Sequence, residues 1–531
     1  MLNSNYSLRD VFVVFLWFFL CPLNHYAFSS EVDVTQNISI ITYQVKGNRD
    51  KSFYPKNQTR YLDEGIINFR DTSEDSNSHL AGNIVYSFTD DDLIDREGAN
   101  LKQFSINYQS GSWSVVFGDS FVSLSRYSVN NGLKGIDMDF KSVGGARLIF
   151  FAGVDASNWN LLWQSNKDDG NTERFVWGAR IEQEFSHNGL VVGINYGGAS
   201  DDGSFFSNTD VYKDINVTSV DLKYHVFPSL LLAGEFASSF RKLHSGDGND
   251  YEGKSDSAYR YSVSFSKDKY SFFSEYSRVG PHFETTGGFS EQDLESLKFS
   301  GQVSVATDIN ISPYIYFSRD NIGKLKDSTS KHINGGINVS YSSALGFSLS
   351  GGWDSRKEYS SDKSSSNRTD TWNIGVSKSF SNVNVLFNYI FACIRDNVDN
   401  SQERNRHTVS FNLNGIINVG RIVLSWNLGE SLGLDKNFDA GKRDVFLSHS
   451  CGMRMVFPCG LVFNGNFSLT DNNFYINQND LSITEYTFTV SKTIKELLGA
   501  SVEYSHKDNV FYDAVNDYAE TRVIAKVSLK F

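Results

Sequence analysis

Alternation of apolar and polar residues, repeated from about residue 79 to the end, is the feature that most restricts how this chain can fold. In the final segment the alternating apolar positions are Val523, Ala525, Val527, Leu529 and Phe531. The segments 220–226, 259–266 and 408–416 follow the same period of two. Successive side chains of a β-strand point to opposite faces, so each segment predicts a strand with one apolar and one polar face.

The number of such segments predicts a very large sheet. Between residues 79 and 531 we identify about 24 strands, with a range of about 22–26. Two further candidates, 38–46 and 62–70, would bring the number to about 26. A soluble β-sandwich seldom contains so many strands in one chain. We therefore predict an all-β fold, a single large antiparallel up-and-down β-barrel, whose even strand number places both chain ends on one side.

The connections between the strands alternate in length. Short turns such as 227–229, 267–269 and 381–382 alternate with longer polar stretches such as 199–213 and 241–256. Short turns at one end and longer loops at the other are typical of barrels that cross an outer membrane. The lengths of the connections therefore favour a transmembrane barrel over a soluble sandwich.

Composition argues against several other classes of protein. Aromatic residues make up 14% of the chain, yet mean hydropathy is −0.34, and no apolar run past the N-terminus approaches the ~20 residues of a membrane helix. The net charge of −13 comes without a basic stripe that would neutralise phosphates, so nucleic acid is not an expected partner. The 4 cysteines show no CxxC spacing, which argues against a zinc site or a disulfide scaffold.

The N-terminus has the pattern of an export signal. The apolar stretch 11–23 is followed by Ala27-Phe28-Ser29, with small residues at the spacing of a cleavage site. A stretch of this length is typical of a cleaved signal peptide rather than of a membrane-spanning helix. We therefore predict a signal peptide at 1–29, a polar N-terminal segment at 30–78 and the barrel at 79–531.

The apolar strand faces have no evident partner within the chain, because no amphipathic helix of useful length is predicted to cover them. A sheet that closes on itself pairs every backbone group inside its wall and leaves no edge strand, as a membrane-spanning sheet requires. Its apolar face then contacts lipid, and its polar face lines the interior. Aromatic residues near strand ends fit interfacial girdles: these are Trp353, Trp372, Trp426, Tyr389 and Tyr504.

The last strand carries the one specific motif. The alternation that ends the chain on Phe531 resembles the C-terminal assembly signal of Gram-negative outer-membrane β-barrel proteins. That resemblance implies insertion by the barrel-assembly machinery and a location in the bacterial outer membrane, in contact with lipid and lipopolysaccharide. It identifies a superclass of porin-like and large-channel barrels and implies no particular solute.

A barrel of about 24 strands has a circular wall roughly 45–50 Å across. An open pore of that width would leak, so something must fill, flatten or gate it. The polar segment 30–78 is one candidate as a small plug, with a periplasmic tail or extra strands as the alternatives. Inward folding of the longer loops is the other possibility.

Charged residues that parity places on the polar face are candidates for lining an aqueous path and setting its selectivity. They are Asp221, Lys223, Glu235, Arg260, Glu275, Glu503, Arg522, Lys526 and Lys530. Charges that only solvate the lumen would show the same parity, so both interpretations stay open.

No catalytic constellation is apparent. The sequence contains neither HExxH nor GxSxG, and serine–histidine neighbours such as Ser448-His449 lie near strand ends without a further partner. We therefore expect no enzyme, no cofactor and no metal site. A disulfide between Cys451 and Cys459, on either side of one short turn, is left open.

These observations favour an outer-membrane channel or export conduit that passes polar solutes or a polymer without chemistry, with a periplasmic export partner as a further expectation. The alternative is a surface structural or adhesion barrel that displays its loops. The loops are mostly short for a dedicated adhesin, which favours transport. The solute and the oligomeric state are not predicted.

Overall fold

The chain forms one closed antiparallel sheet of 26 strands in a computed structural model. The structure describes residues 30–54, 57–71, 78–91, 94, 98–155, 159, 174–185, 189–201, 211–245, 253–287, 291–398, 403–437, 443–473, 480–494, 497–511 and 514–531. The predicted signal peptide lies outside these residues. No helix in the described ranges is both long enough and apolar enough to cross a membrane.

The strands follow one another around the barrel in chain order. They are β1 Ser30–Gly47, β2 Gln58–Asp71, β3 Ser78–Thr89, β4 Ala99–Ser110, β5 Trp113–Ser123, β6 Asn130–Lys141, β7 Ala146–Asp155, β8 Arg174–Phe185, β9 Leu190–Asp201, β10 Val211–Phe227, β11 Leu230–Ser245, β12 Lys254–Lys267, β13 Tyr270–Val279, β14 Leu294–Ala306, β15 Ile309–Asp320, β16 Ser330–Ser342, β17 Phe347–Ser360, β18 Ser366–Ser379, β19 Val383–Asp396, β20 Arg404–Val419, β21 Ile422–Asn437, β22 Arg443–Val456, β23 Leu461–Asn473, β24 Leu481–Ile494, β25 Leu498–Phe511 and β26 Tyr518–Lys530. Short 3₁₀ turns lie at Arg49–Lys51 and Ala514–Asn516.

The first and last strands close the barrel. β1 and β26 pair antiparallel from Thr35↔Lys530 to Gly47↔Tyr518. Below them Val34 N donates to the Phe531 carbonyl at 3.0 Å, and Phe531 N donates back at 2.8 Å. The sheet therefore has no edge strand at this seam.

The strand number lies at the top of the predicted range because the segment 30–78 contains β1 and β2. These strands pair with each other and with β26 and β3. Of the three alternatives for this segment, the described residues take the form of extra strands, and the wall begins at Ser30 instead of residue 79. Ile38 and Ile40, which are 46% and 54% exposed, supply the outward apolar face of β1.

The strands extend further into the predicted loops than alternation alone indicated. The polar stretch 241–256 contains the ends of β11 and β12, and 355–369 contains those of β17 and β18. A strand that continues above an apolar band needs no apolar face, since water can solvate both sides of it. We name this end of the barrel the long-loop end, and the end that holds turns such as 228–229 the short-turn end.

Apolar side chains face outward around the barrel. Phe236, Ile374 and Phe488 are each more than half exposed. The predicted girdle residues share this outer face, where Trp353 lies opposite Trp372 on neighbouring strands. Exposed apolar side chains around a closed wall are the surface that a bilayer would cover.

A charge placed on this outer face tests its orientation. Ile374 on β18 points outward and is 51% exposed, whereas its neighbour Asn373 points inward. We expect Ile374→Arg to lower the unfolding free energy by up to about 2–4 kcal/mol, the cost of an arginine on the lipid-facing side of the wall. Asn373→Arg is the matched control and should have little effect. Denaturant unfolding from lipid vesicles measures both, and equal losses would contradict the assigned faces.

The cysteines in the part of the chain that the structure describes are unpaired. Cys393, Cys451 and Cys459 are free thiols in the structure, so the disulfide left open for Cys451 and Cys459 is not formed.

Candidate functional site

The β5–β6 hairpin leaves the barrel wall at the long-loop end. β5 and β6 pair with each other up to Ser123↔Asn130. The ladder between β4 and β5, however, ends at Ser105↔Gly118. The ladder between β6 and β7 reaches only to Lys134↔Val154. The upper hairpin, residues 119–133, is therefore detached from both neighbouring strands, and its central segment 124–129 is here called the tip.

A glycine with a special backbone marks the point of departure. Gly118 has a φ of 109°, in the region that favours glycine, and a Cβ built there would overlap the Phe104 carbonyl. Directly above, Asp119 replaces the lost ladder by accepting from Phe104 N at 2.6 Å. Trp159 donates its indole N–H to the same carboxylate at 2.8 Å, and Lys134 pairs with it at 2.5 Å. These contacts seal the wall where β5 departs from β4.

The detached hairpin packs on apolar side chains of the inner wall. Val122, Leu124, Val129 and Leu133 form one buried cluster with inner-face residues of β7–β9. Those partners are Ile149, Phe151, Val176 and Ala199. A second cluster joins Tyr127 to Phe283 and to inner-face residues of β10–β13. Apolar residues on the inner face are thus explained by the hairpin that covers them.

Arg180 on β8 anchors the tip. Its Nη1 donates to the Leu124 carbonyl at 2.9 Å and to Asp221 Oδ2 at 2.5 Å, while Nη2 donates to Asp221 Oδ1 at 3.0 Å. Glu182 accepts from Nη2 at 2.6 Å. The arginine side chain is only 6% exposed. Such a bidentate pair fixes geometry as well as charge, so the guanidinium ties the tip backbone to the wall.

Neutral polar groups extend this network. Asn195 is fully buried and donates to Ser219 Oγ at 3.0 Å and to Asp221 Oδ2 at 2.8 Å. Ser219 Oγ also lies 3.0 Å from Ser125 Oγ of the tip. Gly193 lies opposite Asp221 on the neighbouring strand. A Cβ at this position would overlap the Arg180 guanidinium, so glycine leaves the space that the arginine side chain occupies.

Two further carboxylates hold the other side of the tip. Glu235 accepts from Tyr127 N at 3.1 Å. Glu275 accepts from Arg126 Nη1 at 3.2 Å and from Arg260 Nε at 2.6 Å. Every one of these carboxylates has a cationic or backbone donor, so the contact region carries charge in paired form. Burial raises the pKa of Tyr127 to about 12, so its hydroxyl stays neutral.

Residues 280–287, which follow β13, fold inward beside the tip. Val129 and Gly287 form a parallel bridge, and Asn130 N donates to the Gly287 carbonyl at 3.0 Å. Thr286 Oγ1 donates to the Ser128 carbonyl at 2.9 Å. Glu284 pairs with Lys213 and Arg241 on the wall. The two segments together cover the inner face of β8–β13.

A cavity of about 330 Å³ remains between the tip and the wall. Its charged lining consists of Arg126, Arg147, Arg180, Glu182, Asp221, Lys223, Glu235 and Arg260. A polar cavity of this size holds several water molecules. The inward hairpin is therefore a constriction of the lumen with a hydrated, charge-paired interface.

The structure brings part of the predicted lumen set together and separates the rest. Asp221, Glu235 and Arg260 line this cavity with Lys223, and Glu275 pairs with Arg260 beside it. The remaining residues lie on the inner face near the β1–β26 seam. There Arg522 donates to Glu503 at 2.9 Å, Lys530 lies 3.7 Å from Asp33, and Lys526 stands between Ser501 and Ser39 in register.

The prediction missed Arg180 and the tip. The alternation along β8 places Arg180 on the inner face, just as it does for other residues of that strand. Arg180 lies opposite Ile149 on β7 and Asn195 on β9. The run Leu148-Ile149-Phe150-Phe151 is apolar on both faces of β7. Such a run signals that something apolar covers the inside of the wall, and the hairpin supplies that cover.

Acidification is expected to release residues 280–287 from the inner wall. Burial alone would raise the pKa of Glu284, but hydrogen bonds from Lys213 and Arg241 hold it below its ordinary 4.5. A lowered folded-state pKa means that the carboxylate stabilises the docked loop above pH 4.5, and that this stabilisation is lost as the pH falls through the lowered value. Loss of the Glu284 contribution should change the bilayer conductance as the pH falls below about 4.5. A Glu284→Gln variant with the same acid transition would contradict this assignment.

Among the described residues, no group of three or more His, Cys, Asp or Glu side chains is placed to hold a metal ion.

Solved outer-membrane structures are similar to this chain in architecture. A variant of the ferric enterobactin receptor PfeA from Pseudomonas aeruginosa is 9% identical, with 94% of this chain and 80% of that chain covered and a TM-score of 0.44. The siderophore receptor PirA from the same organism is 8% identical, with 95% and 81% covered and a TM-score of 0.42. An anion-selective porin from Comamonas acidovorans is 11% identical, with 62% and 90% covered and a TM-score of 0.28. No family model and no curated protein matches the sequence.

The architecture itself rests on the chain's own geometry. An even number of antiparallel strands, closure between the first and last strand, short turns at the end that holds both described termini, and an apolar outer face occur together. The chain is a closed up-and-down barrel with the architecture of Gram-negative outer-membrane β-barrel proteins.

Proposed function

We propose that this protein is an outer-membrane channel or export conduit that passes polar solutes or a polymer without chemistry. The observation that carries the proposal is the hairpin tip, which Arg180 and Asp221 hold against the inner wall of a closed barrel. A barrel whose wall is about 50 Å across needs a constriction if its lumen is not to leak. The docked hairpin supplies one from the wall itself.

The membrane assignment follows from free energy. Transfer of exposed side chains such as Phe236 and Phe488 from water to lipid is favourable. The closed ladder leaves no strand edge unpaired in the apolar region. We propose that the outer face contacts lipid and lipopolysaccharide, and that the last strand, ending in Phe531, is recognised by the barrel-assembly machinery. A periplasmic export partner would bind at the short-turn end.

The charged residues at the constriction occur in ion pairs, and this pairing affects its ion selectivity. Arg180 with Asp221, and Arg260 with Glu275, place opposite charges within hydrogen-bond distance of each other. Opposite charges in contact largely offset each other's field, and salt screens what remains beyond about 8 Å. The constriction therefore restricts size more than it selects the sign of charge.

Reconstitution tests the proposal directly. Purified protein in planar bilayers should conduct ions with weak selectivity, and proteoliposomes should swell in small polar solutes. Because the hairpin covers the inner face of β8–β13, we expect a conductance well below that of an empty barrel of the same width. Absence of conductance and swelling, even after removal of residues 124–129, would contradict transport and favour the surface structural role.

A further inference from the structure

The inner face of β20–β23, across the barrel from the docked hairpin, is lined mainly by neutral hydrogen-bonding groups, and β19 adds Asn384 beside the apolar Leu386 and Ile390. One row follows the register across five strands: Asn384, Asn414, Asn427, Gly452 and Asn466. The next row toward the long-loop end continues it on four of these strands with Asn412, Gly429, Ser450 and Ser468. We call these two rows the amide panel.

The glycines of the amide panel give the carboxamides room to lie against the wall. A Cβ on Gly452 would overlap Asn427 Oδ1 and lie 2.7 Å from Asn466 Oδ1. A Cβ on Gly429 would lie 2.6 Å from Ser450 Oγ and 3.1 Å from Asn412 Oδ1. Glycine at both positions therefore lets polar side chains from the neighbouring strands converge over bare backbone, forming a flat surface of donors and acceptors.

These amides are available to a solute. Asn384, Asn414, Asn427 and Asn466 are all exposed on the inner face. Asn384 Nδ2 donates to Asn414 Oδ1 at 3.2 Å, and the remaining capacity of both carboxamides is open toward the lumen.

Charge lies at the borders of the amide panel. Arg454 is on the inner face below it, and Glu485 neighbours Ser468 at one side. Arg406 donates to Asp435 at 2.8 Å toward the long-loop end. The covered arc on β8–β13 differs, because charged residues concentrate there and the hairpin shields them. A solute that passes the constriction therefore meets a neutral surface of amides and hydroxyls.

We propose that the amide panel is a binding surface for uncharged, hydroxyl-rich solutes, that is, for carbohydrate chains; this inference rests on the proposed channel function. A carboxamide both donates and accepts, so it matches the paired hydroxyls of a sugar ring. Several weak sites side by side let a chain bind and leave, whereas one strong site would trap it. A surface without charge offers no advantage to phosphorylated or carboxylated solutes.

Current block by maltohexaose tests the proposal in planar bilayers that contain the full-length protein. The neutral oligosaccharide should interrupt the ion current through the wild-type channel at millimolar concentrations. Asn414→Leu combined with Asn427→Leu removes two carboxamides at similar volume, and it should raise the half-blocking concentration about tenfold. Gln302→Leu on the inner face of β14, away from the amide panel, is the matched control and should leave block unchanged.

A second double variant tests whether a loss of block could come from misfolding. Asn414→Gln with Asn427→Gln keeps the carboxamides and should retain block, and all variants should keep the wild-type conductance in salt alone. Ion conduction without block, or block that the leucine pair leaves unchanged, would overturn the amide panel while the channel function stands. Absence of conduction in every variant, including one without residues 124–129, would overturn both proposals together.

Discussion

Removal of the hairpin tip should raise single-channel conductance several-fold. Replacing residues 124–129 with a short Gly-Ser turn deletes the backbone that Arg180, Glu235 and Thr286 hold, and with it the cover over the inner face of β8–β13. Conductance follows the open cross-section, so uncovering this arc should increase it by a factor on the order of 3 or more. Planar-bilayer recordings of wild type and variant in the same salt measure the change.

An equal replacement in another loop separates this effect from a general loosening of the barrel. Residues 361–365 connect β17 and β18 at the same end. Replacing them should leave conductance within the spread of wild-type recordings. Unchanged conductance after removal of the tip would show that the hairpin does not limit the pore.

Substitution of Arg180 should have the second largest effect. Arg180→Ala removes the donors that serve Asp221, Glu182 and the Leu124 carbonyl, in a side chain that is only 6% exposed. Removing one partner of a buried pair costs about 3–5 kcal/mol, because the remaining charge is left without compensation. The tip should therefore detach, with noisy, higher conductance and rapid labelling of a cysteine placed at Leu124.

Two comparisons make the Arg180 result specific. Arg180→Met combined with Asp221→Leu removes both charges and should recover part of the docking, because apolar groups of similar volume can replace a buried pair. Arg70→Ala breaks an exposed pair with Glu31, between β2 and β1, and should cost at most about 1 kcal/mol. Equal labelling at Leu124 in wild type and Arg180→Ala would contradict the anchoring role.

Much of the inner wall could be predicted from the period of two alone. Parity placed Asp221, Glu235 and Arg260 on one face, and the structure places them side by side on β10–β12. Parity works here because neighbouring antiparallel strands keep their side chains in register across the ladder. The alternation of residues does not predict which part of the chain packs against that inner face.

The hairpin could not be predicted in the same way. Residues 113–141 have the alternation of any other pair of strands, although half of the tip is apolar, at Leu124, Tyr127 and Val129. Its inward course depends on contacts distant in sequence, such as Ser125 with Ser219 and Tyr127 with Glu235. Periodicity reports only on residues near each other along the chain.

The sequence by itself determined the antiparallel barrel and the inward side of each strand, because side-chain direction in a strand depends only on position along it. Only the tertiary structure decided that β1 and β2 belong to the wall and that the lumen is narrowed by β5 and β6. Those outcomes depend on which distant strands meet: β1 on β26, and the hairpin on Arg180 and the apolar inner face of β7–β9. These contacts between distant segments depend on barrel closure and side-chain packing in three dimensions, and a local sequence pattern does not predict them.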